Sequence, residues 1–566
     1  MSHSGKRPAL GGPKTVLLAR SFLRVLSTVV THSVAVRTTI CGHAHFRAIP
    51  TLLSLIPLGI PLELKGVIFE ALAAFCEPGA GAAGVEICKA VLWTLMERLE
   101  VINVRMWPST GVSMATGKGM GVELEQIESV HKSYPATIAF LILLSTLIHS
   151  TPKQISLQDQ VAGAEPLNTI PESLGQPYRL PGIGPYISFV VEHVFAKIPN
   201  HEYIRPSDRW ETNDLCLCFI ERSLASFNLE SLVTGSDDPS LNLESLQVIP
   251  ILIHPGYDII KRLLTDLQLH ASILSYVVEG LKGFEKGLAD EDPFFRNTTQ
   301  IIHVLRIVLR ALKIQDIFLD VFIPLLSNFN SSSFVGQVQS RSHFTKIDQA
   351  LLFGPQYIPA VAAYMAYHSH PELVLLSVKI LAKLSLSISP STLVTLIERS
   401  VESERILAGF TQIISTESMD DITLAEEFAE QATGAGAPSM DSESGSLEQA
   451  NRLATLDFLI QDTELNRPFP NVAHFLVLFG GKVGDQTIQD PHTLGARQTS
   501  IHVLLELVNA GIPRFRGKRK EKGEMGPPVD PLFLTLPGLA ERCYRVLYQL
   551  CIHPRTSDFT TLYHRT

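Results

Sequence analysis

Apolar residues recur along this chain at spacings of three and four from one end to the other, and strand-like alternation bounded by hairpin turns is nearly absent. The pattern predicts helices near residues 15–36, 62–76, 85–106, 123–150, 185–198, 209–227, 256–286, 294–326, 354–386, 391–415, 448–461, 491–510 and 531–551. His370 to Ser385 shows the kind of helix expected. Leu373, Leu376, Ile380 and Leu384 form one apolar row and Val374, Val378 and Leu381 a second. More than half the circumference is then apolar, which predicts packing on two sides. In the last predicted helix Leu539, Cys543, Val546, Leu547, Leu550 and Cys551 make one broad stripe, with Glu541, Arg542 and Arg545 expected to face water.

Helices of this kind, in a long run with short connections such as Ser369 to Pro371 or Pro390, stack as antiparallel pairs whose common core runs along the array. No fixed period of the TPR, HEAT or ankyrin kind is present, so the array is expected to be irregular. The predicted fold is all-α: an irregular right-handed α-solenoid of antiparallel helix pairs, HEAT/ARM-like, with disordered loops. The expected organisation is a disordered N-terminus over 1–14, α-solenoid over 15–416, a disordered acidic loop over 417–447 rich in Ser, Gly and Ala, and solenoid again over 448–566, with a basic loop at 513–530. A further connector, Pro152 to Pro185, is rich in Pro and Gly.

Composition agrees with a packed chain. Apolar residues make up 45% and charged ones 18%, with mean hydropathy +0.19, so most of the chain is expected to be buried in helices. The net charge of -9 and pI near 6.1 leave no global basic field for nucleic acid or an anionic membrane. The longest apolar stretches are Ala139 to Ile148, too short to span a bilayer, and Val16 to Val36, broken by Arg20, Arg24 and His32. No membrane span is expected. No Asp or Glu precedes Glu63 while Lys, Arg, Ser and Thr are frequent, which is the composition of a mitochondrial transit peptide. An irregular start leading into an ordinary helix is the preferred reading.

Candidate chemistry fails residue by residue. Gly111 to Gly121, GVSMATGKGMG, has five residues between its glycines and Gly119 after Lys118, where a phosphate loop needs four and then Ser or Thr. His201 and Glu202 open HEYIR, but Arg205 stands where a zinc protease needs its second His. His368 and His370 flank Ser369 at a helix junction, His492 and His502 stand ten apart, and all four read as turn or capping residues. The seven cysteines lie mostly in apolar helical patterns without a C-x-x-C pair, so they read as small hydrophobes in a reducing compartment. Cys216 and Cys218 are expected on different sides of one helix, which argues against structural zinc. Asn297 and Asn330 head glycosylation sequons that matter only in a secreted protein. Arg514, Arg516, Lys518, Arg519, Lys520 and Lys522 form a basic run, read as a solvated loop, with nuclear localisation or anion binding as the other reading. No catalytic, cofactor-binding or metal site is expected, no cofactor is implied, and partner-binding residues stay unassigned. The chain is not expected to be an enzyme.

Several blocks, in order, carry a resemblance. They are VELEQIESVHKSYPATIAFLILLSTLI from Val122, PGIGPYISFVVEHVFAKIPNHEYIRPSDRWETNDLCLCFIERSLASFNL from Pro181 with Trp210 inside it, HPGYDIIKRLL from His254, Pro371 to Leu381, LAGF from Leu407, PNVAHFLVLF from Pro470, QDPHTLGARQTSIHVLLELVNAG from Gln489, and GLAERCYRVLYQLCIHPRTSDFTTLYHRT from Gly538. This ordered set, over about residues 122–566, resembles the large inner-ring scaffold nucleoporins of the nuclear pore complex, called by masses of one hundred ninety-two and two hundred five kilodaltons. A smaller paralogous inner-ring giant shares parts of the pattern, notably around His370 to Leu373.

The resemblance implies an α-solenoid acting as structural scaffold of the nuclear pore inner ring, in the nucleus at the nuclear envelope. It supports pore assembly and nucleocytoplasmic transport by docking other nucleoporins, especially linker nucleoporins laid as helices into solenoid grooves. No small-molecule substrate, specific nucleic acid or transmembrane segment is implied. Family members extend beyond both ends of the matching blocks, which makes the chain look like a central fragment, with docking regions lying largely elsewhere. The competing reading is a soluble HEAT-type transport receptor or adaptor that binds protein cargo, which should show a more regular repeat and a pronounced acidic inner face.

Overall fold

In the computed structural model the described residues are 12–43, 45–77, 85–102, 119–148, 170–176, 179, 181–229, 248–286, 291–328, 344–415, 444–477, 499–509, 536–554 and 556–557. They contain helices and connectors and no strand. Two compact units divide the chain: residues 1–265 with 317–340, and residues 266–316 with 341–566.

The first unit opens with α1 (Pro13–His32), α2 (Val34–Gly42), α3 (Ala48–Leu55), α4 (Leu62–Cys76) and α5 (Val85–Arg98). A helical segment over 120–131 leads to α6 (Pro135–Ile148), then α7 (Gly184–Ser188), which runs on through a π-turn and a 3-10 turn to Asn200. Next come α8 (Pro206–Ala225), α9 (Val248–Ile253) and α10 (Pro255–Thr265). The helices α11 (Leu267–Lys286) and α12 (Glu291–Ile317) belong to the second unit, whereas α13 (Ile323–Asn328) returns to the first. The second unit continues with α14 (Ile347–Leu352), α15 (Tyr357–Ala363), α16 (Pro371–Ser387), α17 (Pro390–Glu398), α18 (Ser403–Ser415), α19 (Ser444–Asp462), α20 (Val472–Val477), α21 (Ser500–Asn509) and α22 (Pro537–Ile552). Proline opens α1, α8, α16, α17 and α22, where its missing N–H would have no intrahelical partner anyway.

In the first unit α1, α4, α6, α8 and α10 pack each on the next. The middle member, α6, buries Ala136 to Leu141 and Leu143 to Ile148, so it is apolar all round and lies between α4 and α8. At the α4–α6 crossing Phe69 and Phe140 meet with ring centroids 5.0 Å apart. Gly66 lets the backbones approach there: a Cβ at that position would stand 2.7 Å from the Pro135 carbonyl oxygen.

The second unit is built in two rows. The turn Tyr364–Ala366 after α15, then α18, then α21 form one row, and α16, α19 and α22 the other, with α15 on α16, α18 on α19 and α21 on α22. Three successive helix pairs result. The polar ties along the second row give its direction. Near their starts Asn451 Nδ2 of α19 donates to the Pro371 carbonyl of α16 at 2.9 Å, and near their ends Ser385 Oγ donates to Asp462 Oδ1 at 2.9 Å. Arg542 Nε to Asp457 Oδ1 at 2.8 Å and Thr463 Oγ1 to Gln549 Oε1 at 2.8 Å join α19 to α22 in the same order. Members of this row therefore run parallel, and the chain must return between them, which is the repeat geometry of an α-solenoid. The predicted two-sided burial of α16 holds: Leu373 to Val378, Ile380, Leu381 and Leu384 are all buried.

Five helices predicted as single are broken, three by local capping and two, 354–386 and 391–415, at the connectors 367–370 and 399–402. Residues 15–36 divide at Ser33, which is extended and whose Oγ accepts from Val36 N at 3.4 Å to start α2. Residues 123–150 divide at Lys132, at φ 52, and Pro135. Residues 256–286 divide at Asp266, whose Oδ1 accepts from Gln268 N at 2.9 Å and Leu269 N at 3.2 Å. Of the expected loops, 1–11, 417–443 and 513–530 lie outside the described residues, while α1 already begins at Pro13 and α19 at Ser444.

Candidate functional site

Most of the described residues singled out for possible chemistry make packing, capping or ion-pair contacts. Lys118 lies outside the described residues, and Gly119, at φ 100, caps the helical start at Met120. The His201 ring stacks on Tyr134 at 5.6 Å, and burial lowers its pKa below the ordinary imidazole value. Glu202 is exposed and pairs with Lys132, whose hydrogen bond and charge hold its carboxyl low. Arg205 reaches Asp208 at 3.1 Å. These three residues thus point to separate partners. His370 precedes α16 as its N-cap and packs on the Phe284 ring at 5.8 Å, and burial lowers the pKa of both His368 and His370. His502 accepts from Thr499 N at 3.0 Å through Nδ1, capping α21. His492, Asn330 and the basic run from Arg514 to Lys522 lie outside the described residues. Asn297 is in α12.

Cys216 is buried and Cys218 half-buried, on different sides of α8 as their spacing predicts. Burial pushes the Cys216 thiol up. Among the described residues no group of three or more His, Cys, Asp or Glu side chains is placed to hold a metal ion, and no helix is long and apolar enough to cross a membrane.

Two arrangements escaped the sequence reading. Glu128 is fully buried, accepts from Ala136 N at 2.8 Å and Thr137 N at 3.2 Å, and takes the Thr137 hydroxyl as well, so a carboxyl from one helical segment caps the next. Burial pushes it up to about 7 against the pull of those hydrogen bonds. Its cap sits seven residues before Pro135, outside the usual capping spacing, so no local signal marks it. The second is the meeting of Cys41 and Cys88, whose Sγ atoms are 3.8 Å apart. The two residues are 47 apart in the chain, and nothing in their spacing pairs them.

Exposed apolar side chains include Leu17, Leu18, Phe22 and Val25 on α1, Val130 and Ile204, the latter donating its N–H to the Lys132 carbonyl at 2.9 Å, and Tyr544, Tyr548 and Ile552 on α22. The stacked helix rows define the described residues as an α-solenoid. A family model described as nuclear pore complex scaffold, nucleoporins 186/192/205, matches residues 6–566, and the chain belongs to that family.

The relatives agree. The chain is 26% identical over 558 residues to nuclear pore complex protein Nup205 of Homo sapiens, covering 96% of this chain and 24% of the human protein. It is 23% identical over 594 residues to Nup205 of Drosophila melanogaster, covering 96% of this chain and 25% of that one. To nucleoporin NUP192 of Chaetomium thermophilum it is 22% identical over 537 residues, covering 89% of this chain and 28% of the relative. The chain spans about a quarter of the length of these relatives.

Proposed function

We propose that this chain is a structural element of the nuclear pore complex inner ring, held at the nuclear envelope, where it supports pore assembly and nucleocytoplasmic transport. It acts by shape and surface, without catalysis. Its partners are other inner-ring nucleoporins, above all linker segments that dock as helices against the grooves between stacked helix pairs. The observation that carries the reading is the family match over 6–566 coinciding with rows of parallel helices, an architecture whose neighbours bury one another's faces and leave long grooves. The relatives' names supply the assembly, and the reactive-looking residues that prove to be caps and packing partners support a role without chemistry.

A tagged parent protein, imaged in living cells, is expected to form a punctate nuclear rim. A diffuse cytosolic or mitochondrial signal overturns the reading.

A further inference from the structure

The cysteines of this chain look inert in sequence, but two of them meet in the first unit, with a third near by. Cys41 lies near the end of α2, Cys76 is the last residue of α4, and Cys88 is in the first turn of α5. Cys41 Sγ and Cys88 Sγ are 3.8 Å apart, and Cys76 is near enough for its thiol to feel Cys88. The surroundings hold this junction in place. Arg37 of α2 is buried and donates to the carbonyl oxygens of Val30 at 3.0 Å, Thr31 at 3.1 Å and Glu77, tying the end of α1 and the end of α4 to α2. The sulfurs lie in van der Waals contact, and closing a disulfide requires them to approach to ~2 Å.

We propose that Cys41 and Cys88 form a reversible thiol–disulfide pair that clamps α2 to α5 across the helices between them. Because no three ligating side chains are placed to hold a metal among the described residues, the reactive unit is the pair and not a thiolate metal site with Cys76. The oxidant is a low-molecular-weight disulfide of the glutathione class. One thiolate attacks its S–S bond, forming a mixed disulfide and releasing one glutathione thiolate, which takes up a proton. The second cysteine thiolate then attacks the protein sulfur of the mixed disulfide and releases the other glutathione. Two protein thiols are oxidised, one glutathione disulfide is reduced, and two glutathione thiols result. The hydrogen bond with Cys88 first, and burial second, raise the Cys41 thiol, which slows thiolate attack, and the pair closes where the disulfide fraction stays high.

The test uses the full chain, natively folded, in glutathione buffers of rising disulfide fraction, followed by iodoacetamide trapping and peptide mass spectrometry. Cys41 and Cys88 should lose alkylation together and appear as one linked peptide pair. The oxidised chain should unfold roughly 2–4 °C above the reduced one, because the bridge restrains the unfolded chain over the segment it closes. Cys41→Ser and Cys88→Ser should each abolish the link, and Cys543→Ser should leave it intact. Three outcomes overturn the assignment: separate glutathione adducts on Cys41 and Cys88 at every ratio, Cys76 in place of either partner in the linked peptide, or a link that forms only after guanidinium unfolding.

Discussion

Leu547 and His474 show how much a single buried side chain contributes here. Leu547 is 5% exposed on α22, beside Cys543, Val546 and Leu550, which are fully buried. Leu547→Ala should therefore cost about 2–5 kcal/mol in denaturant unfolding, from lost transfer energy and the cavity left behind. A loss near zero would place the side chain on the surface. His474 packs edge-on against Phe469 at 4.6 Å, with His553 beyond at 5.7 Å, and burial first, then the His553 charge, pushes it down to about 4. The unfolded imidazole titrates near 6.5, so between these values the unfolded chain binds more protons. His474's contribution is thus fully present above pH 6.5 and is lost as pH falls towards 4, at up to about 1.4 kcal/mol per pH unit. Unfolding midpoints at pH 7 and pH 5 should show it, and His474→Phe should flatten that slope. At this scale the α22 stripe was legible, because burial there follows helical spacing alone. Arg542 was not: expected in water, it is half-buried and pairs with Asp457, a partner 85 residues away.

Among helices, the informative position is Gly66. Helix propensity favours Ala there by about 1 kcal/mol. The Pro135 carbonyl opposes it, since a Cβ would come within 2.7 Å of backbone that cannot rotate away. Gly66→Ala should then destabilise by about 1–3 kcal/mol as α4 and α6 are forced apart. A gain in thermal midpoint would mean the crossing is loose. The predicted helix 62–76 coincides with α4, since an uninterrupted apolar pattern and Pro61 before it leave little choice. The merged predictions failed at Ser33, Lys132 and Asp266, and again between α15 and α16 and between α17 and α18, because hydrophobic periodicity continues across a break while the backbone does not. Ser33 and Asp266 are residue types that cap helices, and reading them as such would have divided two of the five.

For the whole molecule, far-UV circular dichroism should show a helical spectrum, and a substantial strand signal would refute the fold. Affinity capture of the parent protein is expected to recover inner-ring nucleoporins; recovery of import cargo in their place would favour a transport receptor. The sequence by itself determined that this chain is all-helical, that its helices bury more than one face, and which family its ordered blocks resemble, because periodicity, proline starts and motif order are local or linear properties. Only the tertiary structure decided which helices share a row, that α16, α19 and α22 run parallel, that Glu128 caps α6, and that Cys41 meets Cys88. Those facts depend on contacts between residues far apart in the chain, and a single sequence carries no term that pairs them.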